Sequence, residues 1–304
     1  MGAVSDGDAM RYSFAVRDGS HSLVTVFLLA VAASAQDTAP LRYRFTEGET
    51  LRYRVTQTAT LSGDADVAGS FDLRTEQVTE LAWRVVSVDE EGSATIEQTV
   101  PRLRFTNSLP TGDVGFDSDS DDPPMGVAAM LTPAARTLLE TPVTFAVGPG
   151  GTVREITASE DLIGALDRIP GASGVLEWEP ALRSLIETVL PLLPTGDEPA
   201  TRRADYETPS FGRVELVTVF TRGETEELGV ARIVLTVTAD SSAVAERVVA
   251  RIVESTGVAL FVEETGRLQS SDSSLTLELV IDNATATLTQ TSRVQQIGDR
   301  DPAE

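Results

Sequence analysis

Leu41–Leu61, LRYRFTEGETLRYRVTQTATL, decides how the chain reads, because it carries Leu-Arg-Tyr-Arg twice, either side of Thr46-Glu47-Gly48-Glu49-Thr50. With a period of two, Leu41, Tyr43 and Phe45, then Leu51, Tyr53, Val55, Ala59 and Leu61, face one side. Arg42, Arg44, Arg52 and Arg54 face the other. The spacing predicts a β-hairpin, its five-residue loop using Gly48 for a positive φ.

The same pattern recurs outward from that stretch. Phe71 to Val88 alternates up to an Asp89-Glu90-Glu91-Gly92 turn, and Ala94 to Val100 resumes the period. At Pro101 the parity slips, since Leu103 and Phe105 fall out of phase with Ile96 and Val100, and a proline cannot donate to a ladder; a bulge or an edge is expected there. Pro110 to Pro124 reads as a mobile acidic loop, and Met125 to Leu139 as helical turns interrupted near Pro133. Val143 to Ile156 predicts two strands around Gly148-Pro149-Gly150-Gly151. Ser159-Glu160-Asp161 predicts an N-capped helix through Ile169, and Pro180 to Leu190 a second helix after the Pro170-Gly171 break.

Thr195 to Arg203 is polar and marks a candidate internal boundary. Beyond it Val214–Phe220, Val230–Ala239, Val258–Val262, Leu275–Ile281 and Ala284–Ile297 alternate as strands, and Ala243 to Val253, which fits helix or strand, is assigned to strand. The expected architecture is mainly β with a central helical block at about 125–190: a curved antiparallel sheet, or half-barrel, packed on helices. Residues 41–297 would form one such domain, followed by a disordered tail at 298–304; two sandwiches divided near residue 200 are the alternative.

Composition narrows the function classes. Arg11 and Arg17 precede the apolar run Leu23 to Ala33, which closes in Ala33-Ser34-Ala35, the layout of a secretion signal over residues 1–35. Met1 or Met10 would be the start, a linker would occupy 36–40, and no membrane anchor is expected after cleavage. Without the leader, 44 of the 47 acidic and 22 of the 24 basic residues remain, every basic residue being arginine. An acidic, exported, periplasmic or extracellular protein follows, whose charge argues against nucleic acid as a partner. The chain has no cysteine and its single histidine, His21, lies in the leader. Thiol nucleophiles, Schiff bases, serine–histidine triads and histidine-ligated zinc are therefore excluded, and disulfides cannot supply stability.

Glu47-Gly48-Glu49 before Leu51-Arg52-Tyr53, Phe116-Asp117-Ser118 after a strand, the Gly148 to Gly151 turn and GVALFVEETGRL at Gly257–Leu268 together resemble a family of exported bacterial proteins known only as a domain of unknown function. The resemblance covers most of the mature chain and implies no activity. In architecture the chain looks like the periplasmic lipoprotein-carrier half-barrels, which hold acyl chains between a curved sheet and helices; that likeness concerns the fold and carries no residues across.

Three groups of residues are candidate sites. Asp117, Asp119, Asp121 and Asp122 alternate like the opening of a calcium loop, yet Asp122 stands where such a loop has glycine and Ala128 where it has glutamate, so a solvated acidic loop competes with a calcium site. Arg42, Arg44, Arg52 and Arg54, with Arg102 and Arg104 beside them, offer guanidinium forks to an anionic ligand, against cross-strand pairing with Asp and Glu. Tyr43, Tyr53, Trp83, Phe145, Trp178 and Phe261 would line an apolar cavity or fill the core. The leading expectation is a non-enzymatic binding or carrier module for a lipid or other apolar or amphiphilic molecule, needing no cofactor. The alternatives are a structural or protein-interaction domain of the cell envelope, and a hydrolase using two carboxylates at roughly 5 to 9.5 Å.

Overall fold

A computed structural model describes residues 40–65, 69–109, 112–124, 126–167, 178–208, 212–225, 227–240, 248–281 and 284–298. The expected leader, most of the 36–40 linker, the Pro170-Gly171 break and the tail after Gly298 lie outside the described residues.

Twelve strands form a single antiparallel, open, curved sheet among the described residues. In chain order they are β1 (Thr50–Ala65), β2 (Gly69–Val88), β3 (Ala94–Leu109), β4 (Gly112–Asp117), β5 (Val143–Val147), β6 (Val153–Thr157), β7 (Ala200–Thr208), β8 (Gly212–Gly223), β9 (Val230–Asp240), β10 (Val248–Val262), β11 (Arg267–Ile281) and β12 (Ala284–Gln296). The spatial order is β6-β5-β3-β2-β1-β12-β11-β10-β9-β8-β7, with β4 also paired to β3. The first and last strands thus pair at the centre, and two meanders run outward from them. One sheet spans the whole strand set, which overturns the alternative of two sandwiches; β7 starts inside the polar 195–203 stretch and continues the same sheet.

This topology leaves the chain at one edge, β6, and needs it at the other, β7. Of the three helices among the described residues, the last two lie on that crossing, the first coming earlier, between β4 and β5. The helices are α1 (Val127–Glu140), α2 (Glu160–Asp167) and α3 (Trp178–Val189), packed on the inward face of the sheet against β3, β4 and β6, with α3 also reaching β12. Ser159 caps α2 as expected, its Oγ accepting from the Leu162 N–H at 3.2 Å. The helix α1 continues through Pro133 instead of breaking there, with the buried Ala134 and Ala135 directly after it holding the segment on the core.

Arginines tie α3 to both edges. Arg183 donates to the Val153 carbonyl of β6 at 2.8 Å. On the opposite edge, Arg202 of β7 donates to the Glu187 and Leu190 carbonyls at 3.0 and 2.7 Å, satisfying the helix C-terminus, and faces the Glu187 carboxylate and the Phe220 ring. The sheet must therefore curve enough for both edges to meet one twelve-residue helix.

The predicted opening hairpin does not form. Leu41 to Phe45 is extended but belongs to no strand, and the Tyr43 N–H bonds to Pro149 O while the Arg44 N–H bonds to Gly266 O. The segment crosses between the β5–β6 and β10–β11 turns at one end of the sheet, and two glycines make room for it. A Cβ on Gly266 (φ +65°) would lie 2.8 Å from the Arg42 carbonyl oxygen. One on Gly151 (φ +89°) would lie 2.9 Å from the Tyr43 ring and 2.7 Å from Pro191 O, where the returning 190–199 segment passes. Alternation nonetheless holds: Leu41 and Tyr43 are buried, and Arg42 and Arg44 exposed.

The bulge expected at Pro101 is present. Glu80 pairs with Arg102 and Ala82 with Thr99, so Val100 and Pro101 oppose Leu81 alone, and both Val100 and Leu103 turn inward. Two other expectations are corrected. Six residues of the acidic loop are strand, because Val114 and Phe116 alternate against Asp113, Gly115 and Asp117, and β4 pairs with β3. The separate strands expected at Ala243–Val253 and Val258–Val262 are, from Val248 on, one strand, β10, with a register shift at Ile252/Glu254; residues 241–247 lie outside the described residues.

Candidate functional site

Register defines what the inward face presents. At the end crossed by Leu41–Phe45 it is a closed aromatic floor: Trp83 meets Tyr53 at 5.0 Å and Phe145 at 5.3 Å between ring centroids, and Tyr43 meets Phe261 at 5.2 Å. Tyr43, Tyr53, Trp83, Phe145 and Phe261 are buried in the core, and Trp178 is partly buried at its margin. The Tyr43 hydroxyl donates to Pro191 O at 3.1 Å. Burial pushes both the Tyr43 and the Tyr53 phenols above the ordinary value near 10.

Toward the opposite end the inward face changes character. The direct cross-strand partners Gln77, Gln57, Ser292 and Ser273 form a polar row over β2, β1, β12 and β11, with Thr75 and Gln290 in the next row. Further still, Leu73, Leu61, Leu288, Leu277 and Ile252 are partners across β2, β1, β12, β11 and β10. All five are only half-buried, and the main helix contacts are made elsewhere. Phe71 lies beyond them; a Cβ on Gly63 would come within 2.9 Å of its ring, so this glycine admits the ring across β1.

A cavity of about 330 Å³ opens where the helices stand off the sheet. Its helical wall is apolar, with Leu131, Ala134, Leu138, Leu166 and Leu185, whereas Thr75, Gln77, Thr79 and Asn107 of β2 and β3 bring hydroxyls and amides. Volumes of roughly 300 to 1,000 Å³ are usual for small-molecule pockets. Gln77 Nε2 donates to Thr79 Oγ1 at 3.0 Å and Thr75 Oγ1 to Asn107 Oδ1 at 2.7 Å, which holds the polar wall in place. The cavity adjoins the leucine row along β2, from Thr75 to Leu73.

The four arginines of the opening stretch do not gather into one site. Arg54 faces outward and pairs with Glu80 across β1–β2 at 3.1 Å. Arg52 is on the same outward face and also has a partner. Arg44 donates to Glu264 O at 3.0 Å, and Arg42 is exposed on the crossing segment. Arg102 lies 2.9 Å from Asp119 and 4.0 Å from Asp117, and exposed Arg104 sits opposite Asp117 in the register. The cation with most burial in this region is one that alternation missed, Arg267, which pairs with Glu49 and lies 5.2 Å from the Phe45 ring centroid.

Of the acidic group, Asp117 ends β4, and Asp119, Asp121 and Asp122 are exposed in the turn that follows. Asp117 Oδ1 accepts from the Asp119 N–H at 3.0 Å, and the Asp122 N–H donates to Ser120 Oγ at 3.1 Å. Among the described residues no three acidic side chains converge in a metal-holding group, and no helix is long and apolar enough to cross a membrane.

The chain matches no protein-family model and no curated protein. Among solved structures it is similar to lipovitellin, in a structure concerned with its lipid–protein interactions, at 13% identity and a TM-score of 0.50. That match covers 86% of this chain and 26% of lipovitellin, so the chain spans about a quarter of that protein's length. DynF from the dynemicin biosynthesis pathway of Micromonospora chersina (8% identity, TM-score 0.22, 92% of this chain and 94% of that one) carries no fold argument. Neither does an outer membrane channel from Pseudomonas putida F1 (10% identity, TM-score 0.30, 84% and 97%). The likeness to lipovitellin is one of fold.

Proposed function

We propose that the protein is a non-enzymatic binding or carrier module that holds a lipid or another apolar or amphiphilic molecule against the inward face of its curved sheet. The observation that carries this reading is the row Leu73, Leu61, Leu288, Leu277 and Ile252, five apolar partners on adjacent strands left half-buried beside a cavity of about 330 Å³. Contiguous apolar surface of this kind on a soluble chain marks a binding site. The lipovitellin likeness agrees in architecture with such a role, since that structure concerns lipid–protein contacts. The leader pattern at residues 1–35 supports a place of action outside the cytoplasm.

Native against denaturing mass spectrometry tests it, on the full-length sequence expressed in an exporting host and purified without detergent. The reading predicts excess mass on the native protein that is released on denaturation and is identified as lipid. A clean unliganded mass, unchanged after incubation with a total lipid extract, would sink it.

A further inference from the structure

The inward face carries a second kind of information, in what its polar residues are and in what is missing between them. Resting on the carrier reading above, we infer that the ligand is an uncharged lipid whose ester, amide or hydroxyl group sits on the band Gln57, Gln77, Ser273, Gln290 and Ser292, with its hydrocarbon on the leucine row.

Charged residues make up 23% of this chain, yet none occupies an inward position on the four central strands. Along β1 the inward residues are Leu51, Tyr53, Val55, Gln57, Ala59 and Leu61; along β12 they are Val294, Ser292, Gln290, Leu288 and Ala286. The outward positions of the same strands carry Arg54, Arg74, Glu80, Arg84, Asp272 and Arg293, and cross-strand ion pairs form there, among them Arg54–Glu80, Arg84–Glu97 and Arg293–Asp272. Gln57, Gln77, Ser273 and Ser292 are half-buried and Gln290 exposed, so a molecule laid over them would desolvate them, at a cost unless it bonds them in turn.

Bonding of the band within the chain is incomplete. The buried Ser292 Oγ at the centre of the band finds no partner among the described residues. A hydroxyl and a carboxamide each both donate and accept, so they satisfy an ester carbonyl or an alcohol equally well. They offer no countercharge to a carboxylate or phosphate. The cations nearest the interior are already engaged, Arg202 by Glu187 and the end of α3, Arg267 by Glu49. An anionic head group would be buried unpaired, which the site rejects more strongly than it favours the neutral one. A plain hydrocarbon would cover the band without bonding any of its hydroxyls or amides. The chemistry selected is a neutral lipid with a hydrogen-bonding group, such as an acylglycerol, a fatty ester or a fatty alcohol.

Four ligands sharing one sixteen-carbon chain separate these cases: methyl palmitate, hexadecanol, palmitate at pH 9 and hexadecane, each competed below its aqueous solubility limit against a fluorescent acyl probe. The ester and the alcohol should bind at least tenfold more tightly than palmitate or hexadecane. The double variant Gln57→Leu/Gln77→Leu should weaken the ester and the alcohol and tighten hexadecane, so that the tenfold gap between them closes. Ser292→Ala, a smaller change, serves should the double variant fail to fold, and should weaken the ester and alcohol alone. Palmitate binding as tightly as the ester, or variants that leave the ranking intact, would overturn the inference while the carrier reading stood. Binding of none of the four would remove both.

Discussion

Arg202 anchors the end of α3 to β7. Its guanidinium closes the last turn of α3 through two carbonyls, pairs with the half-buried Glu187 and lies 5.4 Å over the Phe220 ring. Arg202→Met keeps the apolar stem but leaves the Glu187 carboxylate and the helix carbonyls without their donor, so it should cost about 2–4 kcal/mol. Urea unfolding measures this, and a loss below about 0.5 kcal/mol would contradict the assignment. The buried phenols give a second prediction at this scale. Tyr43 and Tyr53 are held above the ordinary value near 10 chiefly by desolvation, so above that pH the unfolded chain gives up phenolic protons that the folded chain retains. Their contribution is complete below about pH 10 and is lost as the pH climbs further. The urea midpoint should therefore fall between pH 9 and pH 11, and Tyr43→Phe/Tyr53→Phe should flatten that fall; an equal fall in the variant would contradict it. Inward and outward parity was legible in the sequence even where pairing was not. Leu41 and Tyr43 point inward as alternation requires, but alternation says nothing of what the backbone bonds to, here Pro149 and Gly266. Arg267, 218 positions from its partner Glu49, gives no local signal.

Elements show where local rules were enough. The Pro101 bulge could be read from a parity slip, and the α2 cap from Ser159 followed by two acids. Ser159→Ala removes the acceptor of the Leu162 N–H and should lower stability by about 1 kcal/mol. The thermal midpoint checks it, and Ser159→Asp should restore most of the loss. β4 escaped because its acidic composition outweighed the alternation of Val114 and Phe116, although Phe116 stacks on Phe105 at 5.8 Å and is buried. The opening stretch failed for the opposite reason. Its alternation was sound, but the strand that pairs with β1 on the side opposite β2 comes from the far end of the chain, β12. The polar band also had a sequence signal, since Gln57 interrupts an otherwise apolar inward phase on β1 and Thr75, Gln77 and Thr79 make a polar run in that of β2. Seeing that they lie side by side requires the register.

At the scale of the whole molecule, pairing the two chain ends at the centre of the sheet forces a crossing from β6 to β7, and the crossing sets the form of the inward face. One end is filled by aromatic rings and two crossing segments, while the other is lined by leucines and left half-buried. Sequence alternation implied the curved sheet and the central helices; it did not say that the helices would gather over β3, β4 and β6 and leave the leucine row to something else. If a lipid lies on that row, photocrosslinking with a diazirine-bearing diacylglycerol, mapped by peptide mass spectrometry, will find it there. Adducts are expected at inward positions such as Leu61, Leu73, Leu277 and Leu288, and their loss on Leu288→Asp, with Thr60, Thr287 and Thr289 on the outward face unlabelled. Labelling spread over the outward threonines, or unchanged by Leu288→Asp in a folded protein, would contradict it.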